Sequence, residues 1–268
     1  MPGPAAPGNA ARPLRYRAAR RRACAGGGVC VVPLQQASRK GETAPVRDLP
    51  DLSQPAPLVA PQLIGCELVA HGVRARIVET EAYQSEADKA CHAARGRTAR
   101  TDVLYRRPGT VYLYLVYGLH VMLNLVCDHE DAPAAVLIRA IEILDGEAVV
   151  RRRRRQPSGS ARRLANGPGK VCEALALDLS ANGTVLGRRS CPLRLLPPTR
   201  RPDALAVGPR VGVDYAGPGW ADRPWRWWEA GFPVAGERDA YRPGLRVTPP
   251  GSPPPPRSAA ACRPRSRR

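Results

Sequence analysis

The sequence predicts a mixed α/β protein of the α+β kind: one domain on a mainly antiparallel β-sheet with flanking helices, framed by two disordered basic tails. Three observations carry this. Four segments of strand character, 73–83, 110–116, 121–127 and 134–141, follow one another too closely for parallel crossovers. Two helical segments come after them. Both ends mix Ala, Pro, Gly and Arg without periodicity and can bury little apolar surface.

Taken in order, residues 58–68 read as a short apolar helix closed near Gly65. Residues 73–83 alternate, with Val73, Ala75, Ile77, Glu79, Glu81 and Tyr83 on one face and Arg74, Arg76, Val78, Thr80 and Ala82 on the other. A face that begins apolar and ends acidic and aromatic describes a strand leaving the core for a cavity. A polar loop, 84–107, closes on Pro108-Gly109. Residues 110–116 are rich in β-branched, aromatic and aliphatic types, and Gly118 punctuates their end. The charged turn 128–131 separates the apolar runs 121–127 and 134–141. One helix begins near Gly146 and runs into the arginines 151–155; another spans 168 to about 177, with Val171, Ala174, Leu175 and Asp178 at helical spacing. Residues 208–215 return to the sheet. The division is a basic extension, 1–45, a folded domain, 46–245, and a Pro/Arg-rich tail, 246–268.

The chain has 268 residues and a formal charge of +19. Residues 1–40 hold eight basic and no acidic residues, and 245–268 hold six basic and none acidic; without those fourteen, 28 basic residues face 23 acidic ones. Total charge is therefore weak evidence for a nucleic-acid partner. No apolar run reaches the roughly 20 residues of a spanning helix, which excludes that class of membrane protein. The eight cysteines form no CxxC or CxxH spacing, so a structural zinc site is disfavoured. Several fall within hydrophobic segments, where free buried thiols and a reducing cytoplasm are the expectation.

Candidate chemistry concentrates between residues 79 and 139. Glu79 and Glu81 are paired carboxylates on one strand, able to divide acid and base roles or to pair with arginine. Tyr83 shares their face and His92 follows in the loop. Tyr105, Tyr112, Tyr114 and Tyr117 fall within thirteen residues of a chain that has one Phe in all. Clustered tyrosines suit core packing in a strand, or a stacking surface for planar rings.

These residues carry a resemblance. Arg76-Ile77-Val78-Glu79-Thr80-Glu81-Ala82-Tyr83, then His92, Pro108-Gly109-Thr110, Tyr112-Leu113-Tyr114-Leu115-Val116-Tyr117-Gly118, Asn124, Val136-Leu137-Ile138-Arg139-Ala140 and Asn166-Gly167-Pro168-Gly169-Lys170 resemble the alkyladenine, or 3-methylpurine, DNA glycosylase family in order and spacing. Val211 to Gly217, Trp220 and Pro224-Trp225-Arg226 extend the likeness, which covers about residues 58–244. Ala99 departs from it, standing where many relatives have Pro.

The resemblance implies a curved antiparallel sheet with a protruding β-hairpin, and a monofunctional base-excision-repair enzyme that flips alkylated or deaminated purines out of duplex DNA. It implies no cofactor and no metal. Glu81 corresponds to the base that activates water, and Arg139 to the residue that holds this water and the adjacent phosphate. Tyr83, His92, Tyr114 and Asn124 correspond to the purine pocket, and Tyr117 to the wedge that fills the gap in the DNA. The backbone around 211–213 corresponds to a further contact to the water. Lys170, at a helix start, is expected on the DNA backbone or in the structure, and Glu79 in support of Glu81. The partner is double-stranded DNA with damaged purines, without a membrane, and the protein is a cytoplasmic, nucleoid-associated monomer. Two other classes share parts of the pattern. A non-catalytic DNA-binding module of the same fold would not need Glu81 and Arg139, and an RNA-binding or formyltransferase-like β domain would not need the full pocket set.

Overall fold

The computed structural model describes residues 30–33 and 48–235. A strand β1 (Cys30–Pro33) and a helix α1 (Ala56–Leu63) precede the strand pair β2 (Glu67–Ala70) and β3 (Val73–Gln84). Two 3-10 turns interrupt the following loop, which leads to the hairpin β4 (Val111–Val116) and β5 (His120–Val126). Then come β6 (Ala134–Asp145), α2 (Glu147–Arg153), α3 (Pro168–Leu175), β7 (Arg194–Leu196), β8 (Ala204–Gly208) and β9 (Arg226–Glu229).

All the described strand pairs are antiparallel and join one curled sheet of order β1-β8-β9-β3-β6-β5-β4, with β2 bridging β3 and β7. The fold is thus the mixed α/β class with an antiparallel sheet. Its hub is β3, which has β6 along one side and β2 then β9 along the other. Cys30–Pro33 lies in the stretch expected to be disordered, yet its backbone pairs with β8 over four residues.

The simple alternation expected for β3 does not hold. Opposite Ile77 and Glu79 stand Ile141 and Ala140, so Val78 is extra on β3; opposite Glu79 and Thr80 stand Ala140 and Ile138, so Arg139 is extra on β6. Each extra residue is a β-bulge that reverses which side chains face which way. Ala75 and Ile77 face the main core before the bulge, and Thr80 fails to follow them only in chemistry: with Ala82 it takes the core face after it. β6 changes in step, with Ile141 before and Ile138, Val136 and Ala134 after on the core face. Glu79, Glu81, Tyr83 and Arg139 are therefore delivered together to the opposite face.

The core face is closed by α1 and α3. Leu113, Leu123, Leu125, Ile138 and Ile141 are at most 2% exposed, each such side chain contributing about 1.5–3 kcal/mol. The Thr80 hydroxyl is satisfied there by donating 2.9 Å to the Ala60 carbonyl, in the last turn of α1 where carbonyls lack helical partners. Gly169 at the start of α3 packs against His120 of β5; a Cβ there would lie 2.9 Å from the imidazole Cγ, so only glycine allows this approach.

Two further expectations are corrected, and two short strands carry no signal in the sequence. The first helix stops at Leu63, and Leu68 belongs to β2, because Gly65 turns the chain with φ +96°. Residues 208–215 do not form a strand: β8 ends at Gly208, before Pro209, which has no N–H for a ladder, and a 3-10 turn occupies Asp214–Ala216. β7 and β9, three and four residues long, are too short to show a period. Among the described cysteines, Cys66, Cys91, Cys127, Cys172 and Cys191 are free and buried, and among the described residues no helix is long and apolar enough to cross a membrane.

The arginines 151–155 prove largely structural. Arg151 bonds Glu147 and the carbonyls of Gln156 and Gly159; Arg153 donates 2.7 Å to each of the Ala174 and His71 carbonyls; Arg154 reaches the Leu164 carbonyl and Glu173. They staple the end of α2 to α3 and to the β2–β3 turn. Arg153→Ala should therefore lower stability by about 1–2 kcal/mol in urea unfolding, whereas Arg152→Ala, at an exposed position, should stay within about 0.5 kcal/mol of the parent.

Candidate active site

On the side of β3–β6–β5–β4 away from the main core lies a pocket of about 370 Å³, a size suited to a small planar molecule. Its floor is built on charge. Arg139 Nε donates 3.0 Å to Glu79 Oε1, and its Nη1 lies 3.2 Å from Glu81 Oε1. Arg226, from β9, donates 2.7 Å to the same Glu79 oxygen. Burial opposes the Arg139 charge, but Glu81 and Glu79 outweigh it and hold the guanidinium more firmly protonated than usual. Burial pushes the Glu79 carboxyl up against the pull of Arg139 and Arg226, and Glu79 Oε2 has no partner.

Glu81 is fully buried and lies behind the pocket wall, touching three residues of the lining. Val211 N–H donates 2.8 Å to Oε1, Arg139 approaches the same oxygen, and the Tyr83 hydroxyl donates 2.8 Å to Oε2. A carboxylate has about four acceptor positions. Three are taken, and the remaining one is on Oε2. Burial, with Glu81 beside it, pushes the Tyr83 phenol well up, so it remains a donor. The residues 211–213, which alternate like a strand, instead serve as pocket wall, and the Val211 amide is spent on Glu81 rather than on a ladder.

Aromatic side chains form the walls. His92 meets Tyr114 edge-on at 4.5 Å, and Tyr112 lies 5.4 Å from Tyr114. His92 Nδ1 is 3.0 Å from the Tyr112 hydroxyl. Burial, then Arg100 and Arg95 nearby, pushes the imidazole down to about 4, so it is neutral at physiological pH. Asn124, from β5, is buried and donates 3.2 Å to the Tyr112 carbonyl.

The β4–β5 hairpin overhangs the mouth. Tyr117 and Gly118 both have positive φ, 51° and 69°, and the Leu119 N–H returns 3.0 Å to the Val116 carbonyl. Such a turn matches the twist of a hairpin but favours Asn or Gly at its first centre. Tyr117 is 92% exposed and Leu119 77%. A large apolar ring held in a left-handed conformation at an exposed tip is strained and unburied, a combination that points to a binding role.

Of the residues singled out in the sequence, Tyr83, His92, Tyr114, Tyr117, Asn124 and Arg139 line this one pocket, with Glu81 directly behind them. Lys170 does not line it: its ammonium donates 2.7 Å to Asn166 Oδ1 near the start of α3, while Pro168 reaches the pocket. Sequence reasoning missed the buried Asp88 and Arg210 and the pairing of Arg226 with Glu79. A signal existed for Arg210, an arginine flanked by Pro209 and Val211 in an apolar stretch. Asp88 carried none.

The family model described as Methylpurine-DNA glycosylase (MPG) matches residues 51–233. A protein of Methanocella arvoryzae is 42% identical over 185 residues, covering 67% of this chain and 90% of the relative. One of Myxococcus xanthus is 44% identical over 181 residues, covering 66% and 86%, and one of Mycobacterium tuberculosis is 42% identical over 194 residues, covering 70% and 90%. All three bear the name "Putative 3-methyladenine DNA glycosylase".

The neutrality of His92 has a consequence for stability. The folded state refuses a proton that the unfolded chain accepts below its ordinary value of 6.5, so folding loses free energy as pH falls from 6.5 towards about 4. Unfolding measured at pH 7 and pH 4.5 should show a smaller loss for His92→Asn than for the parent protein. Equal losses would mean that His92 is protonated in the fold.

Proposed function

Because this chain belongs to the methylpurine-DNA glycosylase family, we propose that it removes alkylated or deaminated purines of the 3-methyladenine type from duplex DNA by water attack on the glycosidic bond. The observation that carries this is Glu81, a buried carboxylate held by Val211 N–H, Arg139 and Tyr83 immediately behind an aromatic pocket. A purine in a duplex is shielded by stacking, so the nucleotide leaves the helix to reach such a pocket. Tyr117 fills the vacated space. The base lies among Tyr83, His92 and Tyr114, and Asn124 screens its substituents. Alkylation gives the purine a positive charge, which electron-rich ring faces attract and a neutral His92 does not repel.

In the chemical step Glu81 takes a proton from water at its free Oε2 position. The water oxygen forms a bond to C1′ as the bond from C1′ to the purine nitrogen breaks, and its electron pair leaves with the base. The same anion stabilises positive charge developing on the sugar. Arg139, 3.2 Å from Glu81 Oε1, orients the water and the adjacent phosphate. Glu79 balances Arg139 and Arg226 without reaching the pocket. Lys170 contacts a DNA phosphate outside it. The catalytic unit is residues 46–245, acting as a monomer in the cytoplasm with the nucleoid DNA, and β1 adds an edge strand to it.

Glu81→Gln keeps the size of the side chain and removes the base. Excision under single turnover, read by alkaline cleavage of duplexes with one defined lesion, should fall by about 10² to 10⁴ while lesion binding survives. Retained activity in Glu81→Gln with loss in Glu79→Gln would move the role to Glu79. If the parent protein binds lesion duplexes but excises none, it is a binding module.

Tyr117→Ser should weaken binding and excision together by something like the 1–3 kcal/mol of one aromatic–base stack. Gel-shift affinity and single-turnover rate unchanged from the parent would remove Tyr117 from the wedge role.

A further inference from the structure

The most completely buried ion pair near the pocket belongs to neither its floor nor its lining. Arg210 and Asp88, 122 residues apart, have side chains that are 0% exposed, joined through Nη1 to Oδ2 at 2.5 Å and Nη2 to Oδ1 at 2.9 Å. Arg210 also donates 3.0 Å to the Ala82 carbonyl, which lies between Glu81 and Tyr83 on β3, and 3.1 Å to the Trp220 carbonyl. Its guanidinium stacks 4.8 Å from the Tyr83 ring and 5.1 Å from the Trp225 ring. Asp88 in turn accepts from the N–H groups of Gln84 and Ala90, at the two ends of the turn that leads to His92. One pair thus ties β3, the loop carrying His92 and the segment after β8.

The neighbour of Arg210 in the chain is Val211, whose amide donates to Glu81 Oε1 at 2.8 Å. We propose that the Asp88–Arg210 pair is a positioning device that fixes the Val211 amide on Glu81 and backs the Tyr83 ring, so that the carboxylate and the stacking wall keep one geometry. This deepens the glycosylase reading and rests on it. Stability does not explain the pair, because apolar side chains of similar volume commonly stabilise a core as well as a buried ion pair does, and Arg210 Nε is left without a partner. What apolar replacements cannot do is hold three backbone segments by directed bonds. The guanidinium fork is suited to this because its donors are rigid and planar.

The signature is a change in the pH–rate profile. Glu81 is faced by Glu79 and Tyr83 of β3, Arg139 of β6, Tyr114 of β4, Arg226 of β9 and Arg210 after β8. Of its donors, the Val211 amide is next in the chain to Arg210. Loosening that amide removes a bond to the anionic form and raises the pH below which the rate falls.

The test uses the full chain and a duplex with one hypoxanthine. Arg210→Lys keeps the charge and loses the fork; Arg210→Met combined with Asp88→Leu removes both charges and leaves neither buried alone. Folding is checked by circular dichroism. Both folded variants should excise roughly ten- to a hundredfold more slowly under single turnover, with the acid limb of the pH–rate profile displaced upward and affinity for undamaged duplex unchanged. If Arg210→Lys does not fold, the double variant alone decides. A merely structural pair predicts a lower melting temperature with parental rate and pH profile in the folded protein, and that result overturns the proposal. A parent protein that excises no lesion overturns the glycosylase reading, and this inference with it.

Discussion

Arg139 lies between two buried carboxylates, and the rest of the site is arranged around the electrostatic problem this creates. Charges removed from water must be balanced locally, or the carboxylates take up protons. Glu79 receives Arg139 and Arg226, and Glu81 receives Arg139, an amide and a phenol. Apart from Tyr83, two residues along β3 from Glu81, the partners come from distant parts of the chain. The sheet order that sets β3 between β6 and β9 is what supplies them, since β6 brings Arg139 to one side and β9 brings Arg226 to the other.

The paired bulges at Val78 and Arg139 make that arrangement compatible with a packed core. Without them, a strand whose odd positions are apolar before residue 78 would drive Glu79 and Glu81 into the layer under α1 and α3. A bulge on β3 alone would leave β6 in the wrong phase. Two bulges within a few residues reverse both strands together, so the apolar side of each stays on the core and the charged side stays on the pocket. The change of face is made within a continuous sheet, whose rigidity then holds the charged groups on the pocket side.

Arginine also replaces much of the aromatic packing that a chain with one Phe lacks. Arg210 stacks on Tyr83 and Trp225, Arg226 on Trp228, and Arg223 on Trp220 and Trp225. Arg76, Arg139, Arg210 and Arg226 are all buried and paired with carboxylates. A guanidinium can stack through its plane and hydrogen-bond through its edge at the same time, which lysine cannot. The modest positive surplus of the folded part is therefore not a measure of the charge presented at its surface.

The sequence by itself determined the strands at 73–83, 110–116, 121–127 and 134–141 and the helices after Gly146 and at Pro168, because period, glycine and proline act over a few residues. It also identified the residues that meet in one pocket, Tyr83, His92, Tyr114, Asn124 and Arg139, through motifs in order rather than through any property of one residue. Tertiary structure decided what depends on distant partners. The two bulges have no local signal, since Val78 and Arg139 are ordinary strand residues until the register of the other strand is known. Asp88 looks like any loop aspartate until Arg210 closes on it from 122 residues away. Residues 211–213 alternate like a strand, yet their backbone serves Glu81. His92 is neutral only because the fold buries it beside arginines. A protonation state is set by the desolvation and charge around a group, and those exist only once the chain has brought remote segments together.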